Sequence, residues 1–275
     1  MKDALIVSAL SLVPRNRGAA AMGWTARTRV SSWFTGLFVT VYGVNMAEAE
    51  HPRSAYPTLE ALFTRRLKEG ARPIDDTPEA IVSPVDGTCA FVGPSTDGQI
   101  EIAPGRHLSL SQLVGRPLDG EHDAVVLYLS PTDYHRVHVP REGRATRWAY
   151  VPGTLWPVFP AAVRTIDGLF ARNERLTVTV QTDAGPLDVV LVGAFGVGRI
   201  SSVVTDIISN AGATAATGEV DLALERGGDL GVFHLGSTVV LVAPPGAWRW
   251  SVQAGDTVRM GKAIGSAAPA VASAT

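Results

Sequence analysis

Three short stretches of this 275-residue chain carry residue types that could do chemistry together. Ser83-Pro84-Val85-Asp86-Gly87 supplies a carboxylate, Asp133-Tyr134-His135-Arg136-Val137-His138 supplies two imidazoles, and Leu235-Gly236-Ser237-Thr238 supplies a hydroxyl ahead of the apolar run Val239–Ala243. A serine hydroxyl is a poor nucleophile until a base takes its proton, and imidazole titrates near neutral pH, so His138 is the candidate base. Asp86 would orient it, giving a set in the chain order Asp86, His138, Ser237. Set between a turn and a strand, the Ser237 hydroxyl can reach the carbonyl of Gly236, and a glycine tolerates the distorted backbone such an approach requires. The expected reaction is attack on the Gly236–Ser237 bond, by which the chain cuts itself. Each stretch alone also reads as ordinary turn material, and it is their combination that points to a site.

The elements that must position these residues follow from patterning. Lys2–Val13 has apolar residues at helical spacing and is stopped by Pro14; a second helix is expected over Thr25–Val44, with Val30, Trp33, Phe34, Leu37, Phe38, Val41 and Tyr42 on one stripe. No charge occurs from Val30 to Ala47, but Ser31, Thr35, Gly36 and Thr40 interrupt the apolar character, which favours a helix lying in a membrane surface over one crossing it. Arg15, Arg17, Arg27 and Arg29 would face anionic lipid; docking of this helix on its own domain is the alternative. Thr58–Leu67 reads as a helix capped by Thr58, and Glu69–Pro78 as a link closing an N-terminal helical region, 1–70. From 71 to 265 the chain carries many short β-branched runs separated by Gly, Pro and Asp, and no long alternating helices. The expected fold is α+β, a mainly antiparallel barrel or sandwich behind amphipathic helices, with a disordered Ala- and Ser-rich tail at 266–275. Gly193–Gly198 does not match a dinucleotide fingerprint and reads as close strand packing. The single cysteine, Cys89, excludes an internal disulfide and, without a cleavable signal at the start, suggests a reducing compartment; it reads as a packed strand residue. A net charge of −2 gives no reason to expect nucleic acid as a partner.

Pro-Val-Asp-Gly, Asp-Tyr-His-Arg-Val-His, Leu169-Phe170-Ala171-Arg172-Asn173-Glu174-Arg175 and Leu-Gly-Ser-Thr, in this order, resemble the bacterial phosphatidylserine decarboxylases, over roughly Trp33 to Lys262. The resemblance implies that Asp86, His138 and Ser237 drive cleavage into a large chain, 1–236, and a small chain, 237–275. It implies that Ser237 becomes a pyruvoyl group, by β-elimination and loss of ammonia, that this cofactor forms a Schiff base with the substrate amine, and that His135 is the acid that protonates the carbanion left by carbon dioxide. No metal is required. The expected partners are phosphatidylserine, an anionic membrane surface at the cytoplasmic face and the two chains of one precursor, a homodimer being left open. The chain departs from the usual family pattern at Pro104-Gly105 and Val158-Phe159, positions that bear on head-group and acyl-chain contacts. Two other readings compete: a zinc hydrolase with His135, His138 and Asp86 as ligands, and a non-catalytic lipid-binding module.

Overall fold

The computed structural model describes residues 22–195, 199–234 and 237–268. The expected helix Lys2–Val13, Arg15, Arg17, Gly236 and the tail from 269 onward lie outside them.

The β-branched runs build an eight-stranded antiparallel sheet, ordered β11 (Ala216–Leu224), β7 (Gly143–Val151), β8 (Arg175–Thr182), β9 (Gly185–Gly193), β13 (Ser237–Ala243), β5 (Asp123–Leu129), β2 (Gly87–Pro94) and β15 (Thr257–Val258). The order begins and ends on different strands, so the sheet is open rather than a closed barrel. β13 lies in its middle, and every residue of β13 is buried because both faces of the sheet are covered. Alternation sends Val239, Leu241 and Ala243 into one core and Val240 and Val242 into the other. The first core is closed by β6 (Arg136–His138), β10 (Ile200–Ser202) and β12 (Asp229–Phe233), and by β1 (Ala80–Val82), β14 (Trp248–Trp250) and β16 (Ala263–Ala267). The second is closed by the hairpin β3 (Gln99–Ala103) and β4 (Arg106–Ser109) with three short helices, α3 (Leu110–Val114), α4 (Pro160–Thr165) and α5 (Leu169–Arg172). β16 carries regular pairing past Gly265, with Ser266 opposite Ala80 and Ala267 opposite Trp248, so the first residues of the expected disordered tail are strand. Cys89 is buried in β2 as expected, and burial pushes its thiol up to about 11.

The N-terminal helices differ in detail from the sequence pattern. Residues 22–26 are helical, a 3-10 turn spans Arg29–Ser31, and α1 (Ser32–Tyr42) ends at Gly43, whose φ of 68° suits a glycine cap. α1 turns its polar side inward: Thr35 is buried and accepts from Arg53 Nη1 at 3.2 Å, and the buried Ser31 hydroxyl accepts from the Leu59 amide at 2.9 Å. Trp33, Phe34, Leu37 and Val41 are exposed at 83%, 56%, 63% and 67%. α2 (Leu59–Phe63) is capped by the Thr58 hydroxyl, as expected, but stops at Phe63 rather than Leu67. There the backbone turns to pair Leu67 with Ala49, and the Glu50 amide donates to the Arg66 carbonyl.

Gly87 shows how tightly the sheet holds the candidate carboxylate. It opens β2 opposite β5, and a Cβ there would stand 2.3 Å from the Tyr128 carbonyl oxygen. Gly87→Ala should therefore cost about 1–3 kcal/mol through forced strand separation, read as a fall in Tm; a wild-type Tm would contradict the close approach.

Candidate active site

β5 ends at Leu129, which lies opposite Ser237 at the start of β13; on the other side Ser237 faces Gly193, the last residue of β9. From Leu129 the chain runs through a turn to Tyr134 and His135 and then into β6, which pairs with β12, the strand leading back to Ser237. The Phe233 amide donates to the His135 carbonyl at 3.0 Å, tying these segments together. β2 lies beside β5, so Asp86, one residue ahead of it, is at the same end of the sheet. The His138 amide donates to the Pro84 carbonyl at 2.9 Å, so the Pro-Val-Asp-Gly loop and the second histidine are also stitched together.

Ser237 is buried, and its hydroxyl has no hydrogen-bond partner among the described residues. His135 is buried against the ring of Phe63, with centroids 3.9 Å apart. Its Nδ1–H donates to the Asp133 carbonyl at 2.8 Å, since a carbonyl only accepts. Nε2 is left as an acceptor without a partner among the described residues. Burial first, and then the charge of Arg65, push the imidazole down to about 3, against a backbone hydrogen bond that opposes the shift. His138 donates from Nδ1 to the Gly227 carbonyl at 2.8 Å, and its Nε2 accepts from the Tyr134 hydroxyl at 3.1 Å. Burial holds it below the ordinary imidazole range. Both histidines are thus neutral bases with Nε2 as the basic atom.

Asp86 is nearly buried and takes two donors: Arg72, from Nε to both oxygens at 3.0 and 3.1 Å and from Nη2 at 2.6 Å, and the Met260 amide at 2.9 Å. Among the described residues no hydrogen bond joins Asp86 to His138. Asp86 lines one cavity with Tyr134, the residue that donates to His138; burial pushes that phenol up to about 12, with the Asp229 and Asp86 charges adding to the rise. Asp229 Oδ1 stands 3.8 Å from His138 Nδ1. Burial alone would raise its carboxyl, but the hydrogen bonds from Arg136 win and hold it below the usual range. Asp229, Tyr134, Arg72, Arg65 and Phe63 are not among the site residues that the sequence pattern singles out. The charged ones resemble surface charge in a linear reading, while Tyr134 carries the only available signal, a place inside Asp-Tyr-His.

The fourth motif is a brace. Asn173 is buried, donates from Nδ2 to the Trp156 and Gly193 carbonyls at 2.8 and 2.9 Å, and accepts from the Trp156 amide at 2.9 Å. It thereby fixes the end of β9 opposite Ser237. Glu174 accepts from the Tyr150 hydroxyl and the Asn210 amide, and burial raises its carboxyl. Arg175 donates to the carbonyls of Leu113, Gln112, Ala171 and Asn173. His234 bonds Glu60 Oε1 at 2.9 Å and Ser201 Oγ at 3.3 Å. The zinc reading is not supported. Asp86 is held by Arg72, and no group of three potential ligands forms among the described residues.

Because His135 is depressed from 6.5 to about 3 in the folded chain, the unfolded chain binds more protons between those values. Its contribution to stability is complete above pH 6.5 and is lost as pH falls toward 3, at up to ~1.4 kcal/mol per pH unit. Denaturant unfolding of an uncut Ser237→Ala precursor across this range should show that slope, and His135→Phe should flatten it. An unchanged slope would contradict the burial of this imidazole.

The phosphatidylserine decarboxylase family model matches residues 59–266, a span that contains every residue of this site. A phosphatidylserine decarboxylase proenzyme of Marinobacter nauticus is 41% identical, with 87% of this chain and 86% of that protein covered. One from Pseudomonas putida (KT2440) is 40% identical over 99% of this chain and 100% of its own length, and one from Myxococcus xanthus 37% identical over 96% and 99%. With the motifs gathered at one end of one sheet and the match running along nearly the whole chain, this protein belongs to the phosphatidylserine decarboxylase family.

Proposed function

We propose that this chain is a precursor that cuts itself between Gly236 and Ser237 and then converts phosphatidylserine to phosphatidylethanolamine and carbon dioxide. The observation that carries the reading is the Ser237 hydroxyl, buried at the head of the central strand and without a partner among the described residues. An ordinary structural serine buried this deeply would hydrogen-bond to a neighbour, since an unsatisfied hydroxyl costs free energy. One poised to attack its own carbonyl has a reason to be left free. His138 takes the serine proton, held neutral and in one tautomer by Gly227. Asp86 acts on it through the charge presented to Tyr134, with Arg72 fixing the carboxylate.

The residues present suit a pyruvoyl group, which is made from a serine and occupies its place; when formed it supplies the electron sink for the departing carbon dioxide. Pairing to β5 on one side and β9 on the other holds position 237 still through that change. Phe63 and the surrounding core exclude water from His135. In the precursor His135 is neutral; a substrate anion entering nearby raises its proton affinity and readies it to protonate the carbanion.

Association with a membrane is part of the same proposal, through residues 1–70. Among the described residues no helix is long and apolar enough to cross a bilayer. The exposed Trp24, Trp33, Phe34, Leu37 and Val41 form an apolar face that a docked helix would have buried, while Ser31 and Thr35 make the inward contacts. Such a face suits the interfacial region of an anionic, cytoplasmic leaflet, with Arg27 and Arg29 toward the head groups.

Two experiments test the proposal. Assayed on one set of preparations by gel and by carbon dioxide release, His138→Ala should stay uncut and inactive, whereas His135→Ala should mature and turn over ~10²–10⁴-fold more slowly. If both variants matured with wild-type turnover, neither imidazole would be catalytic. Binding to anionic liposomes should weaken as salt rises and on changing Arg27 and Arg29 to Glu; no binding at any salt concentration would remove the membrane from the account.

A further inference from the structure

Arg65 is 5% exposed, yet its Nε and Nη1 have no hydrogen-bond partner among the described residues, and Nη2 reaches only the Thr132 carbonyl, at 3.4 Å. It lines a polar cavity of 190 Å³ together with Asp86, Arg72, Thr132 and Tyr134. The carboxylates around this cavity are already engaged. Asp86 and Glu48 are held by Arg72, and Asp133 accepts from the Ser130 amide and hydroxyl at 2.7 and 2.8 Å. Arg175, which is also buried away from any carboxylate, is by contrast saturated with four carbonyls. A buried guanidinium with open donors is costly to fold around, and its planar fork matches a carboxylate or a phosphate in two parallel hydrogen bonds. Arg65 also follows Phe63, which packs on His135, by two residues, and its charge reaches His135 and Tyr134.

We propose that Arg65 receives an oxyanion of the substrate head group, the serine carboxylate or the phosphodiester, and sets the lipid's position beside His135. The proposal rests on the decarboxylase reading above. It also accounts for the open donors: they are satisfied only in the complex.

The test uses the full chain with Arg65→Gln and Arg65→Lys, and water-soluble dihexanoyl phosphatidylserine. Both variants should still cut themselves, and Arg65→Gln should melt at or above the wild-type temperature, because it removes an unsatisfied buried charge. KM for the substrate, and Kd measured by calorimetry, should rise about tenfold or more in Arg65→Gln, with partial recovery in Arg65→Lys. Dihexanoyl phosphatidylethanolamine, which keeps the phosphate and lacks the carboxylate, separates the two sources: its inhibition constant rises in parallel if Arg65 holds the phosphate and stays put if Arg65 holds the carboxylate. Unchanged KM and Kd would overturn the proposal, and so would failure to mature or a clearly lower Tm in Arg65→Gln, which would make Arg65 a structural residue. Wild-type protein that neither cuts itself nor releases carbon dioxide would instead sink the decarboxylase reading, and the calorimetric comparison alone would then decide whether Arg65 binds the head group.

Discussion

Ser237 is the first residue of the central strand of an eight-stranded sheet, and the rest of the site depends on that placement. β13 is hydrogen-bonded to β5 over its whole length and to β9 from Ser237 to Val242, and it is buried on both faces. A residue so placed has its backbone fixed by neighbouring strands on both sides. Leu129 and Gly193, the register partners of Ser237, are the ends of their own strands, so the chain leaves both strands beside Ser237. The Pro-Val-Asp-Gly loop arrives by the same logic one strand further out, with Gly87 forced to be small by the Tyr128 carbonyl.

Electrostatics around this point are arranged to leave selected groups unsatisfied. Asp86 shares Arg72 with Glu48, Arg136 and Arg66 share Asp229, and Asn173 and Arg175 saturate the backbone beneath the site. Among the described residues the Thr177 and Thr238 hydroxyls and the Trp248 and Trp250 indoles are also without partners, but Ser237 Oγ, His135 Nε2 and two nitrogens of Arg65 are the open atoms on reactive or charged groups. An imidazole or a guanidinium left open in this way is costly in a purely structural protein. In a chain that must attack itself and then hold a charged head group, they are the atoms that will have work.

Much of this is legible from residue type and order. The motifs carrying Asp86, His135, His138 and Ser237 can be read because each combines a reactive group with turn residues beside a strand. Thr58 as a cap and Val239–Val242 as a strand follow from local chemistry alone. Partners chosen across long sequence separations are not legible: Arg72 with Asp86, Arg65 with the cavity and Phe63 with His135 have no local signal, since Phe63 and Arg65 read only as positions in the capped helix Thr58–Leu67 and Arg72 as part of the link Glu69–Pro78. The direction of α1 is hidden for a related reason. Its apolar stripe is plain in the sequence, but only the buried contacts of Ser31 and Thr35 show that the polar side is the one facing the protein. β11 escapes a reading of the sequence because exposed Thr217, Glu219 and Asp221 alternate with half-buried residues, a glycine among them, along an edge strand, where one flank needs no partner.

If Ser237 is both the point of cleavage and the anchor of the central strand, cutting the chain should not release the small piece. Mass spectrometry of purified protein under native and denaturing conditions tests this most directly. The account predicts one native particle containing both segments and, on denaturation, two species, 1–236 and 237–275, the smaller lacking a free amino terminus and lighter by one ammonia than a serine-initiated peptide. A single uncut chain under denaturing conditions after prolonged incubation at neutral pH, or a small fragment lost from the native particle, would contradict it.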